Sequence, residues 1–151
     1  MSYWLDESAF RTVVDATPLV SIDLIVKDAQ GRVLLGQRVN RPACHYWFVP
    51  GGRIQKNELL DAAFRRLTLT ELGCEYERAQ AQFQGVYEHL YNDSVFGESP
   101  STHYVVLAYC LFVEAAELNL PKQQHSEYHW WLPADVLTSE QVHSNTRAYF
   151  L

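Results

Sequence analysis

Apolar and polar positions along the chain resolve into short runs separated by polar turns. Residues 5–18, "LDESAFRTVVDATP", predict a short helix, with Asp6 placed to cap it and Pro18 beyond its end. The next run, "LVSIDLIVKD", alternates as a strand does. Val20, Ile22, Leu24 and Val26 fall on one face, and Ser21, Asp23 and Ile25 on the other. "DAQGR" predicts a turn at Gly31, and "VLLGQRV" a returning strand. From Asn57, read as a capping residue, to Gly73, a C-terminal glycine, the spacing is helical. Leu60, Ala63, Phe64, Leu67 and Leu72 form the apolar stripe of that helix.

Two more strands follow, "QFQGVYEHLY" and "STHYVVLAYCLFV", with "NDSVFGESP" as the loop between them. "LPKQQHS" reads as a loop, "EYHWWLP" as a last strand, and "PADVL" and "NTRAYFL" as short helices. Strands interleaved with few helices predict an α/β protein, an α/β/α sandwich around a mixed β-sheet. No internal repeat or linker interrupts the pattern, so residues 1–151 are expected to form one domain.

Composition narrows the classes of function. The formal net charge of −6 disfavours a nonspecific nucleic-acid binder, so attraction for an anionic ligand would be local, through a few arginines and a metal. No apolar stretch is long enough for a membrane span, and no basic-then-apolar leader is visible. The three cysteines, Cys44, Cys74 and Cys110, lack a paired spacing and suit reduced thiols, hence a cytoplasmic location. Aromatic residues make up 13% of the chain, which leaves rings for stacking as well as for the core.

The stretch "GGRIQKNELLDAAFRRLTLTELGC", residues 51–74, resembles the Nudix box, with the box itself at about 52–74. Gly52, Glu58, Arg66, Glu71, Gly73 and Cys74 stand at matching positions. Leu67 stands where a Glu is usual, Thr68 where an apolar residue is usual, and Thr70 in place of the first Glu of a Glu-Glu pair. The same gaps occur in the GDP-mannose mannosyl hydrolase branch of the Nudix hydrolases. The likeness to that branch extends through "TPLVSIDLIV", "RPACHYWFVPGGRIQK", "STHYVVL", "QQHSEY" and "VHSNTRAYFL", nearly the whole chain.

That resemblance implies a Nudix fold and an enzyme that splits GDP-mannose, and GDP-glucose, into GDP and the free sugar. Water attacks the anomeric carbon, with inversion. It implies one Mg2+ per subunit, replaceable by Mn2+, held by the Gly51 carbonyl, Glu71 and Gln124. His125 is the implied general base, and Arg38 and Arg53 contact the leaving diphosphate. His89 takes an orienting or electrostatic role, and Asp23 acts through sugar hydroxyls or developing positive charge. Phe10 and Tyr104 flank the guanine, Trp4 and Leu5 border the nucleotide, and Tyr104 also reaches the diphosphate. Arg66 either contacts substrate or holds Glu71 or the loop in place. Glu58 is structural, favouring the helix dipole. Relatives in this branch are homodimers, so a homodimer is expected.

Read one at a time, the residues leave alternatives open. Glu71 alone reads equally as a solvated helix-end carboxylate, His125 as a surface loop histidine, and His89 as a strand-edge histidine. Two rival activities also stand: cleavage of a phosphoanhydride in a nucleotide sugar or triphosphate, and nucleotide binding without turnover. The depleted box argues against the first, and His125, Gln124 and the arginines against the second.

Overall fold

A computed structural model describes residues 5–121 and 125–151. Helix α1 (Glu7–Ala16) starts where the sequence places it, with the Asp6 carboxylate accepting from the Ala9 N–H at 2.7 Å. Strands β1 (Leu19–Lys27), β2 (Val33–Arg38), β3 (Trp47–Phe48), β4 (Gly51–Arg53), β5 (Gln82–Tyr91), β6 (Thr102–Phe112) and β7 (His125–Trp131) form one mixed sheet. Its main path runs β3-β2-β1-β6-β5, with β4 beside β1 and β7 beside β2. The β1–β6 pair is parallel and the others are antiparallel.

Each face of the sheet carries its own core. Ile22, Leu24 and Val26 meet Ala63, Phe64, Leu67 and Leu72 of helix α2 (Leu60–Leu72). Full burial of a side chain such as Phe64 contributes about 1.5–3 kcal/mol. On the opposite face, Ile25, Val33 and Leu35 meet Val136 of helix α3 (Pro133–Thr138), Val142 and Tyr149. Tyr149 lies in the short 3-10 turn Ala148–Phe150, just after helix α4 (Ser144–Arg147). The alternation read from β1 thus sends its two faces to two helical layers, giving the expected α/β/α sandwich. Cys44, Cys74 and Cys110 are free thiols, and no described helix is long and apolar enough to cross a membrane.

Three local expectations are corrected. Helix α2 begins at Leu60, not at Asn57, which instead takes a left-handed turn conformation (φ 66°) that asparagine tolerates better than most residues. The turn is closed by the Glu58 N–H donating to the Gln55 carbonyl. Leu60, assigned to the apolar stripe, is 37% exposed and stands outside the core cluster that the rest of the stripe joins. His125 and Ser126 belong to β7, not to a loop, and His125 pairs with Arg38 across an irregularity in the β2–β7 ladder. Polar residues at a strand end look like loop in sequence, whereas the pairing partner decides the outcome.

Candidate active site

The site forms where β1 parts from β2. Those strands pair only near Lys27 and Val33, and the start of β1 pairs with β4 instead, Asp23 opposite Gly51 and Ser21 opposite Arg53. The opening becomes a cleft of about 490 Å³. Strand pairing brings distant residues to its walls: Arg38 beside His125 on β2 and β7, and His89 opposite Tyr104 on β5 and β6. Helix α2 contributes Arg66 and Glu71, and Leu5 and Phe10 line the end nearest α1. Every expected site residue within the described chain therefore borders one cleft. Trp4 and Gln124 lie outside the described residues.

Glycines permit the close approaches. A Cβ on Gly51 would lie 2.5 Å from the Asp23 Oδ1, and one on Gly36 would lie 2.5 Å from the His125 Cγ and Nδ1. The His125 ring thus rests on bare backbone, its Nδ1 buried against Gly36. A Cβ on Gly52 would lie 2.5 Å from the Leu67 Cδ2. Leu67, 3% exposed, fills with hydrocarbon the place where the usual box carries a carboxylate.

The remaining polar groups of the box are largely tied into the scaffold. Arg66 donates to both Glu58 carboxylate oxygens, at 2.7 and 2.8 Å, and to the Arg53 carbonyl at 2.9 Å. The Thr68 hydroxyl donates to the Phe64 carbonyl and accepts from the Tyr76 N–H, each at 3.0 Å, which accounts for a polar residue at that position. Glu71 differs. It is 5% exposed, which rules out the solvated reading, and accepts the Gly51 N–H at 3.4 Å. Burial, with the nearby Asp23 charge, pushes its carboxyl up to about 7. Asp23 is also raised to about 7 by burial, against the lowering effects of the Tyr149 hydroxyl and Arg38.

The two cleft histidines move the other way. His125 is 2% exposed, so it is no surface residue, and burial followed by the Arg38 charge lowers it to about 4. His89 is lowered to about 4 by burial and by His143. Both are neutral at pH 7, and a neutral imidazole can accept a proton. The Arg38 Nε donates to the Pro42 carbonyl at 3.0 Å, which orients its guanidinium above the Phe48 ring. The Arg53 guanidinium lies 4.7 Å from the centre of the Phe10 ring.

Among the described residues one hydrogen bond reaches the buried Glu71 carboxylate, a setting that suits a cation. Among the described residues, no three His, Cys, Asp or Glu side chains group to hold a metal. Glu71, with the backbone at Gly51, therefore fits one hard cation that completes its shell with other oxygens, rather than a carboxylate-built cluster of ions.

Sequence reading missed Tyr149, placed only in a terminal helix. Its hydroxyl donates to the Asp23 Oδ2 at 2.5 Å and lies 3.3 Å from the His89 Nε2. Nothing in local spacing signals a contact between residues so far apart in the chain.

The sequence profile of the NUDIX domain matches residues 17–151. The low-salt glycan biosynthesis protein Agl8 of Haloferax volcanii is 36% identical over 123 residues, covering 82% of this chain and 76% of its own. Among solved structures, the MutT protein of Methanosarcina mazei Go1 superposes with a TM-score of 0.72 at 21% identity, covering 89% of this chain and 92% of that one. The MutT NUDIX hydrolase of Burkholderia pseudomallei gives 0.70 at 25% identity, covering 89% and 96%. The chain belongs to the Nudix hydrolase family, whose enzymes act on small nucleotide substrates and generally use a divalent metal.

Proposed function

We propose that the protein hydrolyses GDP-mannose, and GDP-glucose, to GDP and the free sugar by attack of water at the anomeric carbon. The observation that carries this reading is the position of His125, a buried neutral imidazole beside Arg38, on the strand ends facing a box helix with one carboxylate in the cleft. His125 takes a proton from water as the oxygen bonds to the anomeric carbon. The bond from that carbon to the diphosphate oxygen breaks, and its electron pair leaves with GDP. Arg38 and Arg53 stabilise the departing charge through forked N–H donors. Glu71, the Gly51 carbonyl and Gln124 would hold one Mg2+ or Mn2+ per subunit, which when bound would supply further positive charge to the diphosphate. A single displacement inverts the anomeric centre.

An inverting glycosidase ordinarily needs an acid to protonate a poor leaving group, and a neutralised diphosphate does not. This explains how one base suffices. Asp23, with His89 beside it through Tyr149, acts toward the sugar. Phe10, Tyr104, Leu5 and Trp4 bound the nucleotide. Arg66 braces the loop through Glu58 and the Arg53 carbonyl from the wall of the same cleft. The enzyme works as a cytoplasmic homodimer. The name of its Haloferax relative fits a role in tuning GDP-sugar supply for glycan synthesis.

Incubation with a panel of nucleotide sugars and Mg2+ tests the reading. GDP and mannose are the expected products. GMP with mannose 1-phosphate would favour phosphoanhydride cleavage, and tight binding without turnover would favour a sensor.

A further inference from the structure

We propose that Tyr149 is a positioning residue whose hydroxyl holds Asp23 and His89 in one fixed arrangement at the cleft; the proposal rests on the reading that those two groups act on the sugar. Asp23 lies on β1 and His89 on β5, with β6 between these strands in the sheet. One phenol oxygen bridges them, 2.5 Å from the Asp23 Oδ2 and 3.3 Å from the His89 Nε2.

With Asp23 ionised, the hydroxyl's single hydrogen goes to its carboxylate. His89 therefore meets a lone pair and carries its own hydrogen on Nε2. Tyr149 thus selects the His89 tautomer as well as the Asp23 rotamer. Asp23 is confined from the other side, since its Oδ1 occupies the space that a side chain on Gly51 would need.

The phenol is itself held. Tyr149 is 5% exposed, the Tyr87 ring meets it edge-on at 4.7 Å, and the Gln84 Nε2 donates to its backbone carbonyl at 2.8 Å. The turn Ala148–Phe150 thus delivers one hydroxyl to Asp23 and His89.

The test compares Tyr149→Phe with Gln84→Ala, which loosens the same segment but keeps the hydroxyl. For Tyr149→Phe, kcat on GDP-mannose should fall roughly tenfold to 10²-fold, the scale of losing fixed geometry, while KM stays within about twofold. Combining it with Asp23→Asn should cause less loss than the two single effects added, because both act through one contact. Imidazole 15N NMR of the enzyme without substrate should show His89 as the Nε2–H tautomer in the wild type and in Gln84→Ala, and as a tautomer mixture in Tyr149→Phe. An unchanged tautomer and kcat in Tyr149→Phe, or equal effects in Gln84→Ala, would overturn the proposal. The NMR reading needs no turnover, so failure of the wild type on GDP-sugars would sink the functional reading without deciding this one.

Discussion

Helix α2 and the strands that line the cleft border one site but contribute differently to it. The helix carries the family signature, yet Arg66 and Thr68 are spent on the scaffold, Arg66 on Glu58 and Thr68 on the Tyr76 N–H, while the apolar Leu67 packs on Gly52. Glu71 is its one carboxylate in the cleft. The strands β1, β2, β5 and β7 carry no comparable signature, yet Asp23, Arg38, His89 and His125 reach the cleft from them. In the proposed mechanism the motif marks the family while the groups assigned to the reaction lie outside it.

This contrast is broken most directly at His125. His125→Gln should lower turnover by roughly 10²–10⁴, the usual contribution of a general base, with GDP affinity nearly unchanged. Steady-state kinetics and GDP titration check it, and near-normal turnover would move the chemistry back to the helix. Gly36→Ala probes the same group indirectly. Its new methyl would displace the His125 ring, so kcat should fall on the order of tenfold to 10²-fold while Glu71 is untouched.

The Glu58–Arg66 pair should respond in stability rather than chemistry. Arg66 holds the Glu58 carboxyl below its ordinary value of 4.5. A depressed carboxyl contributes stability above its unfolded pKa and loses it as pH falls through the lower folded value. Glu58→Gln should therefore cost about 1 kcal/mol at neutral pH, and the difference from wild type should vanish as the pH drops below the ordinary carboxylate range. Thermal unfolding across that range checks it. A pH-independent deficit would mean that the ion pair is not the cause.

The fold was largely legible because its signals are local. The alternation in β1 and the stripe of α2 report burial directly, and both faces of β1 find the helical layers that the pattern requires. Asn57 was misread because a left-handed turn and a helix cap both favour asparagine. His125 was misread as loop because its strand character comes from pairing with Arg38, far earlier in the chain. Its resemblance-based role pointed to the cleft, but its burial and its seat on Gly36 needed coordinates. Tyr149 was invisible for a stronger reason. Its significance is a single hydroxyl contact across 126 positions, and no periodicity records such a contact.

The central claim is that water attacks carbon, not phosphorus. Hydrolysis of GDP-mannose in 18O-labelled water, followed by mass analysis of both products, measures this directly. The label should appear in mannose and not in GDP. Label in a phosphate would contradict the account, and the reaction would then belong with ordinary phosphoanhydride cleavage.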